Sequence, residues 1–423
     1  MHVGIVGAGI TGLALGHHLD REGIDFEIFE RRSEPGGVIR SKRLDGRLLE
    51  LGPQRTRLSP PVEALVDELG LSRELIEAND VPLFVYRDGR LRRVPVSFTD
   101  AVRTDLLTPS GKLRALFEPL TAPPQPGESV HGYFARAFGQ QFADYLADPL
   151  YGGLYGSDTR DMPVEYSLMH ALDRFGISGS LLLAGLRSRL DRRPTLPIVS
   201  FEGGLQTLPD RLAAEYGDRV TLDVEITEIG DRGDRFALRA AEVEVGLFDE
   251  VVVTVPAGTA GELLSALDPE SAEALGALTY NPLAVVHLEA EGTLTGAGYQ
   301  IPATESFATR GVTWNASLLG RDGLYTAYLG GAHHPGLVER SEEELETLAA
   351  REFEAVTGVE ALPLDTHRAV PGMPAYDESW GALEAAETPF GIHLCANYTD
   401  RAGIPGRLTA AKQLADGLAS RAE

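Results

Sequence analysis

The sequence predicts a mixed α/β fold in which one domain is assembled from separated stretches of chain, and three observations lead to it. A strand, a glycine turn, a helix and a second strand open the chain within its first thirty residues. The pattern is then mostly helical from about residue 100 to 190. Residues 280–335 alternate apolar and polar side chains, which predicts strands of an antiparallel sheet.

The opening elements form a βαβ unit. The apolar run Val3–Val6 predicts the first strand, helical spacing predicts a helix over Ile10–Leu19, and Phe26–Glu30 predicts the second strand. Residues 199–262 return to the same α/β character, and a strand at 392–396 follows near the end of the sequence. We expect these later segments to rejoin the first domain.

Four further elements are expected. Helical spacing predicts a helix over 58–80, and the turn residues Asp88-Gly89 after an apolar strand predict a hairpin. A strand is expected over 224–229, and the closing helix is expected from about Thr409.

Composition excludes several classes of protein. The 63 acidic and 38 basic residues give a net charge of -25, which would repel a nucleic-acid backbone. Cys395 is the one cysteine, so an intrachain disulfide and a cysteine metal cluster are excluded, and a reducing compartment is favoured. The sequence has neither a transmembrane stretch of about 20 apolar residues nor a secretory signal. These features predict a cytoplasmic protein.

A glycine-rich motif joins the first strand to the first helix. Gly7, Gly9 and Gly12 form the pattern G-x-G-x-x-G, whose glycines permit a tight turn and the close approach of a pyrophosphate. The helix start then faces the phosphates. Glu30 ends the second strand, where its carboxylate can accept hydrogen bonds from ribose hydroxyls. The motif therefore predicts dinucleotide binding.

The residues that follow Glu30 carry a more specific signal. They read Glu30-Arg31-Arg32-Ser33-Glu34-Pro35-Gly36-Gly37-Val38-Ile39-Arg40-Ser41. This stretch resembles the second glycine motif of the flavin amine oxidase superfamily, in which paired glycines and an arginine line the flavin diphosphate. Paired glycines bring backbone close to a cofactor, and an arginine can neutralise phosphate charge. The resemblance implies FAD as the cofactor.

The resemblance extends over nearly the whole chain. In order and spacing, several segments are similar to the protoporphyrinogen oxidase branch of that superfamily: Glu50-Leu51-Gly52-Pro53, Asp148 to Gly156, Phe201 to Pro209, Gly298 to Pro302, Ala396-Asn397-Tyr398 and Gly403-Ile404-Pro405. The branch implies an FAD-binding, Rossmann-like domain built from discontinuous segments, an antiparallel-sheet substrate domain and a helical insertion. The expected parts are an FAD domain at 1–80, 199–262 and 386–423, a helical cap subdomain at 81–198, and a substrate domain at 263–385.

The resemblance also implies particular site residues. Those expected to bind the cofactor are Gly7, Gly9, Gly12, Glu30, Arg31, Gly36, Gly37, Arg40, Gly52, Pro53, Ile226, Ala396, Gly403 and Ile404. Those expected beside the substrate are Gln54, Arg55, Arg57, Leu83 and Arg401. Ile226 matches a position whose backbone meets adenine, although a core strand residue explains it equally well. No metal and no catalytic side chain are expected, because the cofactor carries the difficult step.

Two departures from the branch concern the substrate side. Leu83 stands where some members have an arginine that pairs with a substrate carboxylate, so anchoring has to come from Arg55 and Arg57 or from the arginine-rich hairpin at 87–93. The closing motif usually has a glycine and an Asp-Cys pair, where this chain has Arg401 and Gly406-Arg407. A large cation there could charge or reshape the cavity.

The activity that the branch implies is hydride removal from a porphyrinogen, protoporphyrinogen IX to protoporphyrin IX, onto the flavin, which oxygen or another acceptor reoxidises. Coproporphyrinogen III, a hydrophobic isoprenoid substrate and a non-catalytic escort role remain alternatives. The lysine of superfamily amine oxidases has no counterpart between Lys112 and Lys412. We expect a small-molecule substrate and at most peripheral membrane contact, since acidic proteins are repelled by anionic lipid. The sequence leaves the oligomeric state open.

Overall fold

The structure is a computed structural model that describes residues 1–190, 196–292, 294–400 and 402–422. The strands are β1 His2–Val6, β2 Asp25–Phe29, β3 Ser41–Leu44, β4 Arg47–Glu50, β5 Thr56–Arg57, β6 Leu75–Glu77, β7 Leu83–Arg87, β8 Arg90–Arg93, β9 Ile198–Phe201, β10 Val220–Thr221, β11 Glu228–Asp231, β12 Phe236–Ala240, β13 Val243–Phe248, β14 Glu250–Val253, β15 Tyr280–Ala290, β16 Gly298–Gln300, β17 Thr309–Thr313, β18 Leu324–Gly330, β19 Ala361–Pro374 and β20 Ile392–Leu394. The helices are α1 Ile10–Arg21, α2 Pro60–Glu68, α3 Phe98–Arg103, α4 Pro109–Ala115, α5 Val130–Phe138, α6 Gln140–Phe142, α7 Gly153–Tyr155, α8 Leu168–Arg174, α9 Leu181–Leu190, α10 Thr207–Tyr216, α11 Ala257–Leu264, α12 Pro269–Ala277, α13 Asn315–Leu319, α14 Glu342–Thr357 and α15 Ile404–Ala422, with a π-helical stretch at Ala143–Gly152 between α6 and α7.

The chain forms two compact units, each made of separated segments. The first unit contains Met1–Ala78, Leu196–Leu278 and Ala382–Glu423, and the second contains Asn79–Thr195 and Thr279–Gly381. The predicted mixed α/β class with a discontinuous Rossmann-like domain is therefore confirmed. Residues 263–278, which the sequence analysis counts with the substrate domain, lie in the first unit, where α12 packs against α11.

A five-stranded parallel sheet organises the first unit. Its order is β10-β2-β1-β14-β20, so β1 lies at the centre between β2 and β14. Val3 pairs with Phe26 on one side and with Glu250 on the other. Strands that are covered on both faces read as continuous apolar runs, which explains the sequence of β1 and of Val251-Val252-Val253 in β14. The predicted βαβ unit is confirmed.

Helices α1, α2, α10 and α15 pack in the core of the same unit. Leu13, Leu15 and Leu19 of α1 are fully buried. A polar contact links three of these helices, because the buried ring of His17 makes hydrogen bonds of 2.8 Å from Nε2 to Glu68 and from Nδ1 to Tyr216. The ring therefore fixes α1 to α2 and to α10.

The second unit contains a seven-stranded sheet in the order β19-β15-β18-β17-β16-β7-β8. Its pairings are antiparallel except β16 with β7, which run parallel. A parallel pair needs a long crossover, and β7 and β16 are separated by the whole helical segment. The predicted hairpin joins β7 to β8, with φ values of 51° at Asp88 and 75° at Gly89.

Three predicted element boundaries are wrong. The helix expected over 58–80 ends at Glu68, after which Gly70 adopts a φ of 71° and residues 75–77 form β6. The strand expected over 224–229 is confined to its last two residues, because β11 begins at Glu228, and the Val224 amide donates to the Glu30 carbonyl rather than to a strand of that sheet. The closing helix α15 begins at Ile404 rather than near Thr409.

None of the helices in the described part of the chain combines the length and the apolar character that crossing a membrane requires.

The bridge through His17 predicts a measurable stability difference. Replacing His17 by Ala should lower the free energy of unfolding by about 2–3 kcal/mol, because it removes a buried ring together with both of its hydrogen bonds. Chemical denaturation followed by circular dichroism measures this difference. Arg21 is the matched control: it pairs with the same Glu68 at 2.8 Å but its side chain is 54% exposed, so Arg21→Ala should cost about 0–1 kcal/mol. Equal losses in the two variants would contradict the bridging role.

Candidate functional site

The carboxyl ends of four parallel strands meet at one edge of the first unit's sheet. Gly7 follows β1, Glu30 follows β2, Thr254 follows β14 and Cys395 follows β20. Hydrogen bonds join these ends, since the Thr254 hydroxyl donates to the carbonyls of Val6 at 2.9 Å and of Gly7 at 3.1 Å. In open parallel sheets this edge is where ligands bind.

The first glycine loop leaves the start of α1 open. Gly7 has a φ of 107°, and a Cβ at Gly12 would lie 2.1 Å from the Gly7 carbonyl oxygen, so both positions require glycine. Gly9 precedes α1, and a Cβ there would meet no described atom within 4 Å. No described side chain caps the helix start. The first-turn amides therefore face open space, which suits an anionic group.

The carboxylate of Glu30 is held in place by backbone. Glu30 is buried, and its two oxygens accept hydrogen bonds from the amides of Ala8 at 2.9 Å and of Arg32 at 3.0 Å. Each carboxylate oxygen can accept more than one hydrogen bond. The group is thus oriented beside the first glycine loop and can also accept from sugar hydroxyls.

The second glycine loop lies directly against the first. The Gly36 amide donates to the Ala8 carbonyl at 2.8 Å, and a Cβ at Gly37 would lie 3.2 Å from the Gly9 Cα. Gly36 and Gly37 have φ values of 111° and 62°. The structure therefore brings together the two motifs that the sequence analysis assigned to one cofactor.

Three arginines surround this second loop, and they differ in exposure. Arg32, which the sequence analysis did not select, donates from Nη1 to the Gly37 carbonyl at 2.9 Å. Burial lowers the pKa of its guanidinium, and the positive charge of Arg40 lowers it further. The Arg40 side chain is 33% exposed and lies 3.7 Å from Glu34, whereas Arg31 is exposed and lies 3.9 Å from Glu225. Positive charge is thus concentrated here in an acidic chain.

The loop at Gly52-Pro53 is braced by the residue after it. The buried Gln54 amide donates to the carbonyls of Glu50 and Gly52, each at 3.0 Å. A Cβ at Gly52 would lie 2.0 Å from the Val38 carbonyl oxygen, so this loop contacts the second glycine loop. Gln54 therefore supports the loop, and its expected contact with substrate stays a prediction.

Glu50 is a structural residue that sequence reasoning missed. It is fully buried, and its carboxylate accepts hydrogen bonds from the Ser41 hydroxyl at 2.6 Å and the Leu205 amide at 3.0 Å. The Ser41 amide donates in turn to the Gln206 side chain at 2.8 Å. These bonds tie the second glycine loop to residues more than 150 positions away. A charged residue at the end of an apolar strand was the one available signal.

The adenine-side and closing segments lie where the sheet topology puts them. Ile226 is buried in the connection between β10 and β11, and the nearby Val224 amide donates to the Glu30 carbonyl at 2.9 Å. In the connection between β20 and α15, Ala396 is buried and Gly403 is exposed, and the buried Ile404 is the first residue of α15. Their expected contacts with FAD stay predictions.

The expected substrate residues are spread over both units. Arg55 is half-buried and Arg57 is exposed beside β5 of the first unit. Leu83 begins β7 of the second unit and packs against an apolar cluster that includes Val85 and Leu106. Arg401 lies outside the described residues.

The arginine-rich hairpin of the second unit is largely committed to its own fold. Arg87 stacks over Tyr145 at 4.0 Å and donates to the Leu106 carbonyl. Arg92 pairs with Asp105 at 2.6 Å. These contacts hold the hairpin against the helical segment, so they weaken its candidacy as a substrate anchor.

Two glycine loops in contact, an oriented carboxylate and an open helix start at the carboxyl edge of a parallel sheet define a dinucleotide-binding oxidoreductase fold. The profile of the family "Flavin containing amine oxidoreductase" matches residues 10–417. The chain belongs to this family and is an FAD-dependent oxidoreductase.

Individual relatives agree with this assignment. The chain is 29% identical over 388 residues to the chloroplastic protoporphyrinogen oxidase of Nicotiana tabacum, which covers 82% of this chain and 71% of that protein. It is 24% identical to the coproporphyrinogen III oxidase of Staphylococcus aureus, with 88% of each chain covered. A solved structure from Exiguobacterium sp. 255-15, provisionally named protoporphyrinogen oxidase, has the same fold, with a TM-score of 0.82, 23% identity and 99% of each chain covered.

The residues at the carboxyl edge fit FAD. The open space over Gly9 and the amides of the α1 start suit the diphosphate, with Arg40 as the adjacent cation. The Glu30 carboxylate suits a ribose. The expected contacts of these groups with the diphosphate and ribose of FAD stay predictions.

The position of Arg40 predicts a specific effect on cofactor affinity. Arg40→Ala should raise the dissociation constant for FAD about tenfold, because a charge-assisted contact to phosphate is lost. Isothermal titration of FAD into the apoprotein measures this constant. Arg43→Ala is the matched control, since Arg43 is exposed and makes one long bond of 3.5 Å to the Glu202 carbonyl. Unchanged affinity in Arg40→Ala would place the diphosphate elsewhere.

Proposed function

We propose that this protein is a porphyrinogen oxidase that converts protoporphyrinogen IX to protoporphyrin IX. The observation that carries the proposal is the alignment of four-fifths of the chain with a relative named protoporphyrinogen oxidase. The cofactor side supports it, because both glycine loops and the Glu30 carboxylate are in a geometry that accepts FAD.

FAD, when bound, supplies the hydride acceptor for the dehydrogenation. The chain's own residues supply position. The α1 start and Arg40 hold the diphosphate, Glu30 holds a ribose, and the Thr254 hydroxyl keeps the β1 turn closed through its bonds to Val6 and Gly7. Holding the cofactor rigidly is the larger part of what such a protein must do, since the cofactor performs the chemistry itself.

We assign cofactor binding to the first unit and substrate binding to the second. The described residues that suit FAD all belong to the first unit, and we therefore assign the substrate to the second unit. The strands β15 and β19 are eleven and fourteen residues long, and their antiparallel pairing gives the second unit a broad, rigid scaffold.

Protoporphyrinogen is favoured over coproporphyrinogen by the arrangement of charge. Coproporphyrinogen carries more carboxylates, and each one taken into a dry site needs a partner. Leu83 is apolar, and Arg87 and Arg92 make contacts within their own unit. A substrate that brings fewer carboxylates therefore suits these residues better.

The experiment is a parallel fluorescence assay. Purified protein reconstituted with FAD should accelerate porphyrin formation from protoporphyrinogen more than from coproporphyrinogen, relative to spontaneous oxidation without enzyme. Low and high salt are compared, because a net charge of -25 destabilises the compact state through self-repulsion when screening is weak. A faster reaction with coproporphyrinogen would make that the substrate. No acceleration of either, with FAD bound, would refute the proposed activity.

Two glycine variants separate cofactor loss from other causes. Gly37→Val should abolish FAD binding and turnover together, because Gly37 has a φ of 62° and its Cβ would crowd the Gly9 backbone. Gly258→Ala, in α11 with no described atom within 4 Å of the added Cβ, should leave both unchanged. Turnover by an FAD-free Gly37→Val protein would contradict the mechanism.

A further inference from the structure

Arg407 is a buried cation at the start of the closing helix. It is 3% exposed and lies in the first turn of α15. Its Nη1 donates to the Ala396 carbonyl, and its Nη2 lies 3.9 Å from the Asp400 carboxylate, whose side chain is 45% exposed. Arginines are seldom buried so completely, and a cation in the first turn of a helix opposes the helix dipole. This placement costs stability, so it calls for a compensating role.

The turn that Arg407 holds is itself well defined. The Ala396 carbonyl also accepts from the Thr399 amide at 3.2 Å, and the Ala396 amide donates to the Thr399 hydroxyl at 3.1 Å. Cys395, directly before this turn, feels the same charge: burial raises the pKa of its thiol to about 11, and Arg407 acts in the opposite direction. The positive charge of Arg407 therefore acts on groups at the carboxyl end of β20.

In the sheet, this turn and Glu30 lie on opposite sides of β1. Glu30 ends β2 on one side of β1, whereas the turn after β20 lies two strands away on the other side. Neighbouring strands are about 4.8 Å apart, so the turn lies roughly 10 Å from the β1 turn along the carboxyl edge. A dinucleotide with one ribose at Glu30 and its diphosphate at the start of α1 extends toward β14 and β20 when it continues along this edge of the sheet.

We propose that Arg407 is a positioning residue that fixes the 395–400 turn beside the isoalloxazine and raises the reduction potential of bound FAD. The proposal rests on the function proposed above. A flavin that accepts a hydride gains two electrons and one proton and becomes negatively charged unless a second proton follows. A buried cation stabilises that negative charge more than it stabilises neutral oxidised flavin, so it shifts the equilibrium toward the reduced form.

The experiment measures the midpoint potential of bound FAD by spectroelectrochemistry in three variants. Arg407→Gln retains an N–H donor for the Ala396 carbonyl but removes the charge, and the equilibrium should shift about tenfold toward oxidised flavin, which is about 30 mV for a two-electron couple. Arg407→Lys retains the charge and should keep the potential near that of the parent protein. Asp400→Asn removes a neighbouring negative charge and should raise the potential.

The outcomes are distinguishable. A merely structural role would lower the melting temperature of Arg407→Gln and leave the potential unchanged, and that result would overturn the proposal. If Arg407→Gln does not retain FAD, the Asp400→Asn variant tests the proposal instead. An unchanged midpoint potential in Asp400→Asn would overturn the proposal as well. Failure of the parent protein to bind FAD would refute the proposed function, whereas FAD binding without porphyrinogen turnover would leave the potential measurement fully interpretable.

Discussion

The cofactor side of this protein depends on one backbone contact, in which the second glycine loop lies against the first. The Gly36 amide bonds to the Ala8 carbonyl, and the Ala8 amide bonds to the Glu30 carboxylate. A Cβ at Gly37 would press on the Gly9 backbone, one at Gly36 would lie 2.5 Å from the Ile39 carbonyl oxygen, and one at Gly9 would enter the open space before α1. The glycines are therefore required by packing as well as by cofactor binding. The hydrogen bond of Arg32 to Gly37 and the hydrogen bonds of Glu50 stabilise this contact between the two loops.

Charge is distributed to suit that contact. A chain with a net charge of -25 would repel a diphosphate at long range, yet Arg32 and Arg40 lie beside the glycine loops and shift the local balance. Short-range, partly buried interactions are screened less by salt than the diffuse surface charge. An acidic exterior and an anionic cofactor are therefore compatible in one protein.

Sequence reasoning predicted the parts of the site that depend on residue type and short spacing. Gly7, Gly9, Gly12 and Glu30 could be found because a turn, a helix start and a strand end lie within thirty residues. Glu50 could not, since its partner Leu205 is 155 positions away and a single sequence carries no trace of that pairing. Strand and helix ends were least predictable.

The orientation of the arginine side chains could not be predicted from the sequence either. Arg31 and Arg32 follow Glu30 directly, and backbone geometry, which the sequence does not display, decides that Arg32 bonds to Gly37 while Arg31 lies 3.9 Å from Glu225. Arg407 shows the same limit, because its departure from the family pattern was visible but its burial was not.

The interleaving of segments has a consequence for how the protein is made. Helix α15 packs against α1, and β20 completes the edge of the sheet that β1 begins, so the first unit joins the earliest and the latest residues of this chain. During synthesis the glycine loops emerge long before their supports. The cofactor site therefore belongs to a late stage of folding, and until then the apolar faces of β1 and α1 lack the elements that cover them.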